Sequence, residues 1–404
     1  MTLFASLRYP SFAFLWAGQT VSRFGDHLYR VALAWWVLEK TGSAAAMGTV
    51  LIFTSVPMLL FVLIGGVAVD RFPRAQVMFV SDLLRAAVVG ITALLAFTNT
   101  LELWHILVAS IVFGFVAAFF QPAYTAIIPD IVASEQRPSA NSLTALSAQL
   151  TGILGPALGA TIVALGGTAS AFALDALSFL IAALCILPML RLQPPEQLNA
   201  RAQANPIQEF RAGLRAVVTV PWLWLTILLL ALMNLTQAGP YTVSLPFLVK
   251  ESLGDDVQVL GWLYSAAAFG SVIAAIWLGR KTGFHRRGIV SYLGLVVSGL
   301  ATLVLGLAVP LPMLLLANVL IGASLNVFNL IWYNTLQEMV PNDLLGRVSS
   351  IDYLGSFVLL PIGYGLAGWA TDLFGAAEVL FIGGVLTTLL ALIGLAQPAI
   401  RKLN

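Results

Sequence analysis

Hydrophobic residues fill long continuous runs along this chain, and short polar segments separate the runs. Each run is roughly 20 or more residues long, the length of a transmembrane helix. Strands of an outer-membrane barrel would instead alternate polar and apolar residues over about ten positions. The pattern therefore predicts an all-α polytopic membrane protein with twelve membrane-spanning helices, named span 1 to span 12. In order, the spans cover residues 12–38, 43–69, 75–98, 104–130, 139–166, 169–190, 222–249, 257–279, 288–309, 311–338, 348–372 and 376–398.

The composition excludes a water-soluble globule. Of 404 residues, 59% are hydrophobic and 9% are charged, whereas soluble domains average about 25% charged residues. Cys185 is the single cysteine, so the chain cannot form an intramolecular disulfide.

The basic residues predict the orientation in the membrane. With twelve spans, both termini lie on one side, and that side carries fifteen lysines and arginines. The other side carries only Lys40 and Lys250. The positive-inside rule therefore predicts that both termini are cytoplasmic.

The two groups of six spans resemble copies of each other. At an offset of 208 residues, Gly155 aligns with Gly363 and Gly167 with Gly375. Parallel six-helix repeats are typical of one transporter architecture, in which the substrate site lies near the membrane midplane. The predicted divisions are an N-terminal half at 1–190, a cytoplasmic linker at 191–221 and a C-terminal half at 222–404.

The linker carries one amphipathic pattern. Ile207, Phe210, Leu214 and Val217 share one helical face, which suits a helix lying on the cytoplasmic membrane surface. An ordinary linker without such a helix is the alternative.

Span 1 carries four ionisable residues on one face: Arg23, Asp26, His27 and Arg30. A charge at the bilayer centre costs at least about 2.5–3.5 kcal/mol. Such a face therefore indicates a water-filled cavity or a buried partner, and the repeat places uncharged polar residues on the same face of span 7. The predicted substrate cavity comprises Gln19, Gln121, Tyr124, Asn234, Gln237, Tyr241, Asn326, Asn329 and Tyr333. The alternative is that these side chains hold helices together by hydrogen bonds.

Asp26 is the principal candidate for proton coupling because it lies near the middle of span 1. Burial favours its neutral form, whereas Arg23 and Arg30 favour its charged form, so it can change protonation as a cavity opens and closes. The alternative is a permanent Arg–Asp–Arg cluster that fixes helix packing. Asp82 and Arg85 in span 3 are three residues apart and can neutralise each other as a structural pair. The alternative is that they also take part in proton coupling.

Two short motifs and several longer stretches carry a family resemblance. "GGVAVDRFPRAQV" and "GILGPALG" resemble loop and antiporter motifs of the major facilitator superfamily. "FGDHLYRVALAWWVLEKTGS", "SDLLRA" and "PNDLLGRVSS" resemble its macrolide-efflux and enterobactin-exporter branch. The matching residues are Gly66, Asp70, Arg71 and Arg74 in the first motif, and Gly152, Gly155, Pro156 and Gly159 in the second.

The resemblance implies roles for both motifs. The first would form a cytoplasmic gate, and the second would bend span 5 and let it pack closely. Glycine-rich packing is common in membrane helices, so close packing alone is the alternative for the second motif. Proton-coupled members often carry an arginine in the fourth span, where this chain has Ser110.

Together these features predict a secondary-active exporter of amphipathic small molecules such as drugs and macrolide-like compounds, driven by proton antiport with alternating access. The alternatives are an exporter of one metabolite, such as a siderophore, and a lipid flippase or non-transporting receptor. We expect no enzyme activity, because no nucleophile–base pair, phosphate-binding loop or metal-ligand cluster is evident. The expected partners are a small-molecule substrate, protons and membrane lipids, with no cofactor, metal or nucleic acid, and the chain is expected to be monomeric.

Overall fold

The computed structural model describes residues 3–69, 71–191, 206–254, 256–280 and 285–403, and all regular secondary structure in these ranges is helical. The long helices follow the hydrophobic runs closely. They are Pro10–Thr41, Ala44–Val69, Arg74–Phe97, Leu103–Ile131, Arg137–Ile186, Pro206–Thr219, Pro221–Met233, Gly239–Ser252, Val257–Gly279, Arg287–Leu305, Leu311–Met339, Asn342–Phe357, Leu360–Phe374 and Ala376–Ala396.

The predicted fold class, an all-α protein with many membrane spans, is confirmed. Within the described ranges, ten helical segments are long and apolar enough to cross a membrane. One of them, Ser134–Arg191, contains spans 5 and 6, because Gly167 has a φ of 74° and breaks the helix between them. Predicted span 1 forms the helix Pro10–Thr41. Span 7 is interrupted by a π-helical turn at Asn234–Ala238, a distortion that is frequent at functional sites.

The chain forms two compact units. The first contains Met1–Thr41 and Phe53–Gln203, and the second contains Gly42–Ile52 and Ala204–Asn404. The start of span 2 is therefore grouped with the second unit, although the sequence division assigned all of 1–190 to the N-terminal half. The Asp372 carboxylate explains this grouping, since it accepts hydrogen bonds from the Ser43 hydroxyl and from the first backbone N–H groups of span 2.

The internal repeat is visible in equivalent glycine contacts. Gly155 packs against span 1 at His27, and Gly363 packs against span 7 at the backbone of Leu235. Gly167 and Gly375 both have positive φ angles, 74° and 99°, which glycine adopts without strain. The residues that align at an offset of 208 thus occupy equivalent places in their units.

An ion pair also recurs in the two units. Arg74, at the start of span 3, lies 2.6 Å from Asp130 at the end of span 4. Arg287, at the start of span 9, lies 2.6 Å from Glu338 at the end of span 10. Each pair joins the third helix of its unit to the fourth.

The linker helix forms at Pro206–Thr219. Residues 192–205 and the side chains of Ile207 and Phe210 lie outside the described part. Gly213 and Val217 are buried, and a side chain at Gly213 would collide with span 11. This side of the helix therefore packs on the second unit, and its contact with the membrane surface stays a prediction.

Candidate functional site

The first unit contains a buried group of charges centred on span 3. Asp82 is fully buried, and its Oδ2 accepts a 3.0 Å hydrogen bond from Gln19 Nε2. Its Oδ1 lies 3.9 Å from the guanidinium of Arg85. That guanidinium lies 4.1 Å from the ring centre of Phe120 and 5.3 Å from that of Phe179. Aromatic faces attract a desolvated cation by about 2 kcal/mol, so these rings help to hold Arg85 away from water.

The charges of span 1 do not form a closed cluster. Arg23 donates a 3.1 Å hydrogen bond to the carbonyl of Thr144 and lies 5.4 Å from the ring centre of Tyr124. Asp26 is half-buried and Arg30 is exposed. Among the described residues, no ion pair within 4 Å joins Asp26 to either arginine. The two arginines therefore act on Asp26 only through space.

The antiporter-type motif forms the contact between spans 1 and 5. A side chain at Gly155 would place its Cβ 2.6 Å from His27 Cβ, and one at Gly159 would place it 3.0 Å from the span 1 backbone. Pro156 is buried and Gly152 is half-buried. These glycines allow the two helices to touch, as small residues do in membrane proteins.

Several predicted cavity residues of the second unit are bound within it. Gln237 Nε2 donates hydrogen bonds of 2.6 Å to Ser298 Oγ and 2.7 Å to Thr302 Oγ1. The Tyr241 hydroxyl donates a 2.7 Å bond to Asn318 Oδ1. These contacts join span 7 to spans 9 and 10, so both side chains contribute to helix packing.

Two predicted asparagines also hold helices together. Asn234 Nδ2 donates a 2.8 Å hydrogen bond to the carbonyl of Ser356, and Asn326 Nδ2 donates a 2.7 Å bond to that of Ser271. Both side chains are half-buried. In these contacts they hold neighbouring helices together by hydrogen bonds, which is the alternative that the sequence analysis gave to lining a substrate cavity.

Other predicted cavity residues are open at the surface of their own unit. Asn329 and Tyr333 of span 10 are exposed, and so is Gln121 of span 4. The Tyr333 side chain keeps 58% of its accessible surface. These three residues are the predicted ligand contacts that remain most accessible.

The predicted cytoplasmic gate is described only in part, because Asp70 lies outside the described residues. Arg74 is held by Asp130 and by the carbonyl of Ala126 at 2.8 Å, whereas Arg71 is exposed. Among the described residues, a side chain at Gly66 would meet no atom within 4 Å. The described part of the motif therefore ties span 3 to span 4 through Arg74.

Sequence reasoning missed Asp175 in span 6. This residue is fully buried, and a side chain at Gly25 of span 1 would collide with its Oδ1. Its Oδ2 has no hydrogen-bond partner. The available signal was a single carboxylate inside an otherwise apolar span, which is rare and functional by default in membrane helices. Asp175 thus joins Asp26, Asp82 and Arg85 in what we call the charged cluster.

Comparison with known proteins gives consistent matches over the whole chain. The family model of the Major Facilitator Superfamily matches residues 15–359 and, in a second match, residues 231–401. Macrolide efflux protein A of Streptococcus pyogenes is 24% identical over 398 residues, 96% of each chain. Multidrug efflux pump Tap of Mycolicibacterium fortuitum is 27% identical over 409 residues, 98% of each chain.

Solved structures share the fold at low sequence identity. The nucleoside transporter NupG has a TM-score of 0.74 and 11% identity, covering 98% of this chain and 100% of that one. A bacterial homologue of the iron transporter ferroportin has a TM-score of 0.70 and 16% identity, covering 96% and 99%.

Proposed function

The chain belongs to the major facilitator superfamily, and from this membership we propose that it exports amphipathic small molecules by proton antiport with alternating access. The protein is a multi-pass membrane transporter and not an enzyme. The proposal adds the direction of transport, the substrate class, the coupling ion and the bacterial inner membrane. It also adds cytoplasmic termini, which rest on the distribution of basic residues.

The relatives support export. Two relatives named for efflux match over nearly their whole length, 96% and 98% of each chain. Drugs and macrolide-like compounds are therefore the substrate class we propose. Asn329 and Tyr333 of the second unit are exposed within that unit and combine polar and aromatic character, which suits an amphipathic ligand.

The observation that carries the proposed coupling is the imbalance of the charged cluster. Asp82 has one arginine 3.9 Å away, while Asp26 has no ion-pair partner among the described residues. An unpaired carboxylate in a low-dielectric interior costs several kcal/mol, and binding a proton removes that cost. Asp26 is half-buried, so a change in water access alters its preference for the proton.

A transport assay tests the proposal. Inverted membrane vesicles containing the protein are given a panel of cationic and neutral amphipathic dyes, with and without an imposed pH gradient. We expect dye accumulation that requires the gradient and disappears with a protonophore. Vesicles with Glu135→Gln, which changes an exposed carboxylate in the turn before span 5, serve as the matched control. Accumulation unaffected by the protonophore would refute proton antiport.

A further inference from the structure

We propose that Asp175 is the proton-holding group of the charged cluster: it is protonated in the resting protein and passes its proton to Asp26 during transport. The first part concerns the resting protein alone. The second part rests on the proton-driven export proposed above.

The surroundings of Asp175 suit a neutral carboxylic acid. The residue has no accessible surface, and its Oδ2 has no hydrogen-bond partner in the described part of the protein. Its Oδ1 lies 3.3 Å from the hydroxyl of Ser178, which makes its shorter bond, 2.8 Å, to the Asp175 backbone carbonyl. A buried ionised carboxylate normally receives several hydrogen bonds or a counter-charge. Asp175 has neither in contact, so its charged form is strongly disfavoured.

The count of charges around Asp175 leads to the same conclusion. Span 1 contributes Asp26 and the phenol of Tyr29, and span 3 contributes Arg85. Asp82 of span 3 belongs to the same cluster through Asp26 and Arg85. The span 4 ring beside Arg85, Phe120, adds no charge. The cluster thus has three carboxylates and one buried cation, and that cation lies beside Asp82.

The other arginines of the unit do not supply the missing charge. Arg23 is bound to the carbonyl of Thr144, and Arg30 is exposed. With all three carboxylates ionised, the buried interior would hold two excess negative charges. Asp82 and Asp175 are both fully buried, but Asp82 has the Gln19 amide and Arg85 beside it. Holding a proton on Asp175, the less well bonded of the two, removes one of these charges.

The geometry also provides a direction for the proton. Asp175 Oδ1 lies against Gly25, the residue that precedes Asp26. Asp26 interacts electrostatically with both Asp175 and Asp82, and it alone of the three carboxylates is half-exposed. In the transfer, the O–H bond of Asp175 breaks as an O–H bond forms on the Asp26 carboxylate, which then releases the proton to water. Arg85 stabilises the charge left on Asp175.

Gly25 has a positioning role in this arrangement. Any side chain there would occupy the space of the Asp175 carboxyl and the Ser178 hydroxyl. Glycine therefore allows the carboxyl to reach the backbone of span 1 beside Asp26.

The resting proton is tested first, by infrared spectroscopy of the purified full-length protein at neutral pH. A protonated carboxyl gives a carbonyl band distinct from that of a carboxylate, and we expect Asp175→Asn to remove one such band while Glu135→Gln removes none. Asn keeps the size and the neutrality of the protonated acid, so Asp175→Asn should also melt close to the wild type. An unchanged carbonyl region, or a variant that fails to fold, overturns the resting proton.

The transfer is tested in proteoliposomes with the same variants. We expect Asp175→Asn to retain downhill dye transport and to lose uphill accumulation at least tenfold, to the level seen without a pH gradient. Uphill accumulation at the wild-type level would refute the transfer while leaving proton antiport intact. A wild type that ignores the pH gradient would refute proton antiport and the transfer together, and the infrared result would still decide whether Asp175 holds a proton.

Discussion

Gly155→Ala tests the contact between spans 1 and 5 with a single added methyl group. The new Cβ would lie 2.6 Å from His27 Cβ and 2.8 Å from its Cγ, whereas carbon atoms pack best at about 3.5–4.0 Å. The helices must therefore separate by roughly 1 Å. His27 Cβ is fixed to the backbone of span 1, so a rotamer change cannot relieve the overlap.

The expected loss of stability follows from overpacking. Adding a methyl group to a filled helix interface costs about 1–3 kcal/mol. For a unit of this size, each kcal/mol lowers the melting temperature by about 2–4 °C, so we expect a decrease of about 2–12 °C. Thermal unfolding in detergent can be followed with a thiol-reactive dye, because Cys185 is the single cysteine.

Gly66→Ala is the matched control. A side chain there meets no atom of the described part of the chain within 4 Å, and alanine is favoured over glycine inside a helix by about 0.5–1 kcal/mol. We expect this variant to melt at or slightly above the wild-type temperature. If Gly155→Ala melts as high as Gly66→Ala does, spans 1 and 5 are not in the close contact described, and the packing role of the antiporter-type motif is refuted.

Three further predictions concern named side chains. Asp26→Asn should express normally and still bind ligand, because no described ion pair depends on Asp26. Ligand binding by this variant should no longer change with pH, and uphill accumulation should be lost. If the variant still drives pH-dependent uphill export, Asp26 is not part of the coupling. Asn329→Ala should change the relative affinities for a panel of ligands without changing the melting temperature. Asn326→Ala removes a 2.7 Å hydrogen bond, so it should lose about 1 kcal/mol of stability and keep the wild-type ligand specificity. Equal ligand profiles for the two variants would contradict this difference. A double-mutant cycle with Arg74→Met and Asp130→Asn, measured by thermal unfolding, should give a coupling free energy of no more than about 1 kcal/mol, because both side chains keep some exposure. A much larger coupling free energy would contradict this small contribution.

The fold was readily predicted because its signals are local. Twenty-residue apolar runs indicate the spans of a helical membrane protein, and each predicted run coincides, to within a few residues at its ends, with one observed helix or with consecutive helices. The repeat also left a trace in the sequence, since Gly167 and Gly375 align and both have positive φ angles, which glycine adopts without strain.

The candidate site was predicted less completely, because periodicity shows which residues share a face and does not show what the face contacts. Gln237 and Asn326 lie on polar faces as predicted, yet their amides are bound to neighbouring helices. Asp175 was missed because no charged residue lies near it along the chain. Its neighbours in the charged cluster come from spans 1 and 3, and only the three-dimensional structure brings them together.

The carboxylate at residue 372 has a consequence for synthesis. It accepts hydrogen bonds from backbone N–H groups at residues 44 and 45, so the start of span 2 is completed by a side chain 328 positions later in the chain. At about 5–20 residues per second, a ribosome needs roughly 16–66 s to reach it. During that interval the early helix end lacks its acceptor, and the second compact unit remains unfinished until nearly the whole protein has been translated.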